Sequence, residues 1–265
     1  MADILETIVA HKRIEVAEAK ERLPEHELYR QVEALLDATD SYKPVSLSAA
    51  LRQSAAGIIA EFKRRSPSRG WINEPATPED VVPAYEQAGA AACSVLTDTE
   101  FFGGSQQFLQ RVRPQVKLPL LRKDFIIDEY QLFEARLIGA DAVLLIAADL
   151  KLSECRSLIA TAHELGLETL LEIHSESELN YCELDTDLVG VNNRNLGTFV
   201  TDVQNSFRLI NRLPRECALV SESGISDPQT IRLLHAAGYN GFLIGDTFMR
   251  TADPAATLQN FIAAI

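Results

Sequence analysis

Beyond residue 56 the chain alternates short apolar runs with amphipathic stretches. The runs are Ile58–Lys63, Ala92–Leu96, Leu118–Lys123, Ala142–Ile146, Glu168–Ile173, Leu188–Asn192, Ala218–Glu222 and Gly241–Gly245. They are near-continuous in Ile, Val, Leu and Ala, as parallel strands are when both faces are covered. Helical patterns precede many of them, over Pro78–Gly89, Glu129–Gly139, Leu152–Gly166 and Pro228–Gly238. Each ends in the glycine that an αβ connection favours. Eight such strands separated by helices predict an α/β fold, a single (β/α)8 TIM barrel, whose usual length is about 250 residues. A doubly wound open sheet competes with it, but no GxGxxG follows the first strand. The barrel is expected over 57–265.

The segment 1–51 has another rhythm. Ile4, Leu5, Ile8, Val9, Ile14 and Val16 are spaced for an amphipathic helix, with His11-Lys12-Arg13 between them. Leu23-Pro24 ends that helix, and a second is expected near Glu25–Leu36. The basic triplet reads as a solvated helix face rather than a partner site. No Pro, Gly or Ser linker sets the segment apart. Residues 1–265 are therefore expected to form one domain with an N-terminal helical extension.

Size and composition exclude several classes. With 265 residues, 46% hydrophobic and 24% charged, the chain can bury a large core. It holds no apolar stretch long enough to span a bilayer, and no signal-peptide pattern follows Met1. Cys93, Cys155, Cys182 and Cys217 are scattered without a CxxC pair, so neither disulfides nor a zinc site is expected, and the expected location is the cytoplasm. The formal net charge of −13 argues against nucleic-acid binding. It leaves room for a small anion in a local positive field.

Candidate chemistry gathers where the apolar runs stop. The first ends in Glu61 and Lys63, the third in Arg122-Lys123-Asp124, the fifth in Glu172 and the sixth in Asn192-Asn193-Arg194. The seventh ends in Glu222-Ser223-Gly224 and the eighth in Gly245-Asp246. In a barrel these ends share the face that carries reactive groups. Any one of them suits a strand end meeting water; six on one face suit a site. Lys63 and Lys123 opposite Glu61, Glu172 and Glu222 fit proton transfer. A Schiff-base lysine remains the alternative. The small loops after strands seven and eight sit where barrels commonly hold phosphate, and Lys63, Arg65 and Arg69 are placed to offset its charge. Phe101-Phe102-Gly103-Gly104-Ser105 reads as either an aromatic flap or ordinary loop packing. The histidines show no ligand spacing, and His174 reads as a rim residue.

These residues carry a resemblance. Glu61-Phe62-Lys63-x-x-Ser66-Pro67-Ser68-x-Gly70 resembles the signature of the indole-3-glycerol-phosphate synthase family of tryptophan biosynthesis. So do Ser94-Val95-Leu96-Thr97 with Phe102-x-Gly104-Ser105, and Leu121-Arg122-Lys123-Asp124-Phe125-Ile126. Leu171-Glu172-Ile173, Gly190-Val191-Asn192-Asn193-Arg194-x-Leu196, Ser221-Glu222-Ser223-Gly224-Ile225 and Leu243-Ile244-Gly245 continue it. The resemblance spans the chain, helical extension included.

It implies a carboxy-lyase acting on 1-(2-carboxyphenylamino)-1-deoxyribulose 5-phosphate, with indole-3-glycerol phosphate, CO₂ and water as products. By the same resemblance Lys123 is the general acid and Glu172 the base of a later step. Lys63 binds anionic groups and assists loss of the hydroxyl, with Glu61 holding it. Ser68, Phe102, Asn192, Arg194 and Glu222 contact the substrate. Lys63, Ser223, Gly224, Gly245 and the backbone of Asp246 hold phosphate. No cofactor or metal is implied, and the expected state is a monomer or weak homo-oligomer that can touch other enzymes of the pathway. Two positions depart from the family pattern. Arg65 stands where a small residue is usual, and Asp246 stands where Ser or Thr is frequent, so its side chain is expected to point away from the phosphate. The alternatives are another phosphate-binding barrel, an isomerase or Schiff-base aldolase, and a barrel that only binds phosphorylated ligands.

Overall fold

A computed structural model describes residues 4–38, 42–195 and 197–265, so Met1 and Leu196 lie outside the described residues. Eight strands form the closed barrel: β1 (Ile58–Phe62), β2 (Ala92–Leu96), β3 (Leu120–Lys123), β4 (Ala142–Ile146), β5 (Glu168–Ile173), β6 (Leu188–Asn192), β7 (Ala218–Glu222) and β8 (Gly241–Ile244). Every neighbouring pair is parallel, and β8 closes on β1 with Ile59 opposite Leu243. All eight expected strands are present. β3 begins at Leu120 rather than Leu118 because Pro119 has no N–H to give a ladder.

Helix starts follow a repeated device. Thr77, Asp227 and Asp253 each precede a proline at the first helical position and accept a backbone N–H with their side chains. Such a cap satisfies one of the orphan donors at a helix start, and proline there loses nothing. The strands place apolar side chains on both faces. Ile59, Leu121, Leu144, Leu170 and Val220 fill the barrel, while Ile58, Val95, Leu145 and Val189 meet the surrounding helices.

The N-terminal segment divides between the two ends of the barrel. Helices α1 (Ile4–Arg22) and α2 (Glu25–Asp37) match the expected pair. A third, α3 (Leu47–Gln53), sends Leu47 and Leu51 into the cluster with Ile59, Ala92, Ala142 and Ala218, so it plugs the end where strands begin. α1 lies at the opposite end. Its Lys12 is buried, which corrects the expectation of a solvated basic face. The ammonium meets Asp98 Oδ2 and Asp124 Oδ1 at 3.0 Å each, and also Glu15. Asp98 and Asp124 follow β2 and β3, so this cluster pins α1 across the strand C-terminal ends. Among the described residues no helix is long and apolar enough to cross a membrane.

Candidate active site

The strand C-termini open into a cavity of about 340 Å³. All thirteen sequence-predicted site residues line it: Glu61, Lys63, Ser68, Phe102, Lys123, Glu172, Asn192, Arg194, Glu222, Ser223, Gly224, Gly245 and Asp246. Two acid–base groups form inside. In one, Lys63 Nζ lies 2.7 Å from Glu61 Oε1 and 2.9 Å from Asp246 Oδ1. In the other, Lys123 Nζ lies 3.0 Å from Glu172 Oε2 and 3.4 Å from Glu222 Oε2. Asn192 Nδ2 donates to Glu172 Oε1 at 3.1 Å.

Burial and charge push these groups apart. Burial opposes the charge of Lys123, but Glu172, Glu222 and Glu61 outweigh it and hold the ammonium above its ordinary range. Burial likewise opposes the charge on Lys63, and Glu61 with Asp246 keeps it protonated. Glu172 is also disfavoured by burial, yet Lys123, His174 and Asn192 hold it well below the usual carboxylate range. Glu222 goes the other way. Burial raises it, Lys123 only partly offsets that, and Glu172 and Glu61 add repulsion. Two neighbouring carboxyls pushed in opposite directions set a group that favours its ionised form beside one that favours its protonated form. Apart from the Lys123 ammonium at 3.4 Å and the neighbouring Glu172 carboxyl, neither oxygen of Glu222 has a hydrogen-bond partner among the described residues. A buried carboxyl left this way calls for a ligand group.

Glycines make room for these acids. A Cβ at Gly190 on β6 would overlap Glu222 Oε1, and one at Gly245 would overlap Glu61 Oε1. Gly190→Ala is therefore expected to shift the Glu222 carboxyl and lower kcat/KM by roughly 10²-fold, since small displacements in a positioned site cost that much. Far-ultraviolet circular dichroism should stay unchanged; an unaltered kcat/KM would show that Glu222 tolerates the shift.

One wall of the cavity is apolar. Leu96, Phe102, Phe125, Leu144 and Ile146 are joined there by Ile4, Leu5 and Ile8 of α1. The α1 contribution was not legible, because amphipathic spacing gives a buried face but not what covers it. Across the mouth, Arg194 NH1 donates to Ser68 Oγ at 2.9 Å, tying the loop after β1 to the loop after β6. Ser223 and Gly224 both adopt left-handed backbone, at φ 67 and 77. A non-glycine held there is strained, and such strain gathers at functional turns.

Several expectations need correction. The Asp246 side chain does not point away: it faces the cavity, paired with Lys63 and with Arg69 Nε at 3.1 Å. Three cations near one position draw it in, Arg194 lying at 3.8 Å. The short helix after β8 starts at Asp246. Arg65 is turned from the cavity, donating to the Glu100 carbonyl at 3.1 Å and stacking on Trp71, while Lys63, Arg69 and Arg194 line the cavity around Asp246. The Phe101-Phe102 loop is fastened: both amides donate to Asp98 Oδ1, and the Gly104 amide donates to the Asp98 carbonyl at 2.7 Å. His174 is no rim residue, since its Nε2 lies 3.2 Å from Glu172 Oε1.

Residues 5–261 match the family described as indole-3-glycerol phosphate synthase. The chain is 55% identical to the indole-3-glycerol phosphate synthase of Bacteroides thetaiotaomicron, over 100% of both chains. It is 44% identical to that of Polynucleobacter necessarius, over 99% of this chain and 100% of the relative. Among solved structures, the tryptophan synthase alpha-subunit of Pyrococcus furiosus superposes with a TM-score of 0.60 at 15% identity. That match covers 79% of this chain and 97% of the other, a likeness of fold.

Proposed function

We infer the reaction from the family: the chain belongs to the indole-3-glycerol phosphate synthase family. It closes the indole ring of indole-3-glycerol phosphate. The substrate is 1-(2-carboxyphenylamino)-1-deoxyribulose 5-phosphate, and the enzyme is a carboxy-lyase. The observation that carries the roles is the shared placement of Lys123 and Glu172, a protonated amine and an ionised carboxylate 3.0 Å apart in a buried pocket.

Lys123 gives its proton to the ribulose carbonyl oxygen as the ring carbon bearing the carboxylate attacks the carbonyl carbon. The new carbon–carbon bond interrupts aromaticity. Loss of CO₂ leaves its bonding pair to restore it. In the last step Lys63 protonates the departing hydroxyl, which leaves as water. Glu172 takes the proton from the carbon beside nitrogen, and that C–H pair becomes the ring double bond. Glu61 holds Lys63 in place, 2.7 Å away. The protonated Glu222, with Asn192 and Arg194, orients substrate oxygens. Ser223, Gly224, Gly245 and the Asp246 amide cradle phosphate, while Phe102 and the apolar wall receive the anthranilate ring. Ser68 positions Arg194. The four cysteines are free, which suits a cytoplasmic enzyme.

Purified protein should convert the substrate with growth of indole fluorescence. A lysine held protonated is poorly suited to forming a Schiff base, so borohydride trapping with substrate should leave Lys63 and Lys123 unmodified. An adduct on either would replace the acid–base reading with an imine mechanism.

A further inference from the structure

We propose that His174 is a positioning residue for this reaction, standing as the second cation beside Glu172 and keeping that carboxylate ionised once Lys123 has given up its proton. The proposal rests on the acid–base reading above. His174 comes two residues after Glu172 at the end of β5, where alternate side chains share a side. Its Nε2 is 3.2 Å from Glu172 Oε1, and its Nδ1 is 3.7 Å from Glu178 Oε2. The His174 amide donates to the same Glu178 oxygen at 2.6 Å. Asn205 Nδ2 donates to the His174 carbonyl at 2.9 Å. The His174 backbone is thus fixed by the turn Glu176–Glu183 and the helix Gln204–Leu209, which sets the ring in ionic contact with two carboxylates.

The charges around Glu172 make a second cation necessary. Its ionisable neighbours are Lys123, His174 and Glu222, and Glu61 also acts on Lys123 and Glu222. When Lys123 is spent on the carbonyl oxygen, Glu172 loses one of its two cations. A buried carboxylate without a cation takes up a proton, and a protonated Glu172 is no base for the final step. His174 remains. Burial works against its charge, but Glu172 and Glu178 raise it to about 10, so it stays an imidazolium at neutral pH.

The test compares the wild type with His174→Asn, His174→Lys and Glu178→Gln. Removing the cation should raise the Glu172 pKa, because an opposite charge within contact lowers a carboxylate by about 1–3 units. The acid limb of the kcat profile should move to higher pH by about one unit or more in His174→Asn. His174→Lys should move it back, and Glu178→Gln should show a smaller shift in the same direction. Carbon-13 titration of Glu172, assigned with Glu172→Gln, should report the same shifts without substrate. The loss of kcat in His174→Asn should grow toward acid pH with KM nearly unchanged.

An unmoved Glu172 titration in both His174→Asn and Glu178→Gln would overturn the proposal. So would a lysine variant no different from the asparagine one. A wild type that makes no indole would instead overturn the reaction, while the carbon-13 titration still reads whether His174 governs Glu172.

Discussion

Lys123→Ala is expected to slow indole formation by about 10²–10⁴-fold, the usual worth of a positioned general acid. The lysine ends β3 with its ammonium 3.0 Å from Glu172 and 3.4 Å from Glu222. Among the described residues the other lysine of the cavity is Lys63, and it is engaged with Glu61 and Asp246. The barrel should still fold. Glu222 already sits on the protonated side of its range, and Glu172 keeps Asn192 and His174 as partners. An unaffected rate, read by indole fluorescence, would remove Lys123 from its role.

Lys12→Met is the substitution expected to cost most stability. It leaves Asp98 buried without a cation, while Asp124 keeps Arg122 at 3.1 Å, and breaking a buried pair this way costs about 3–5 kcal/mol. Urea unfolding should show that loss as a lower midpoint with an unchanged slope. The sign of the pH dependence follows from the shift. Burial opposes the Lys12 charge, but Asp124 and Asp98 raise its value in the folded protein above the ordinary 10.5. Its contribution is therefore complete below pH 10.5 and fades only as pH rises beyond that. The gap between wild type and variant should be flat through neutrality and close at strongly alkaline pH. A loss below about 1 kcal/mol would mean that the cluster behaves as a surface pair. Because α1 also walls the cavity with Ile4, Leu5 and Ile8, KM should rise in the same variant.

The barrel was legible because parallel strands covered on both faces leave unbroken apolar runs, and each run stops where its polar end meets the mouth. Lys63, Lys123, Glu61, Glu172 and Glu222 could be picked out for that reason: charges at strand ends are conspicuous against Ile, Val and Leu. What the sequence left dark depends on contacts between distant segments. Lys12 looked like one of three basic residues on a helix, and only the docking of α1 onto the loops after β2 and β3 buries it. His174 carries no local signal, since its significance comes from the carboxylate two residues earlier and from Glu178 beyond it. Asp246 was misjudged because its place beside a phosphate loop was weighed without the three cations that Lys63, Arg69 and Arg194 bring from other strands.

The central claim is a division of labour, with Lys123 acting first and Glu172 last. It is tested most directly by recording CO₂ release and indole fluorescence together in the wild type, Lys123→Ala and Glu172→Gln. The wild type should release one CO₂ per indole. Lys123→Ala should slow both signals equally, because condensation precedes decarboxylation. In Glu172→Gln, CO₂ should run ahead of indole as the decarboxylated alcohol accumulates. Equal slowing of both signals in Glu172→Gln would contradict the assignment of Glu172 to the closing step.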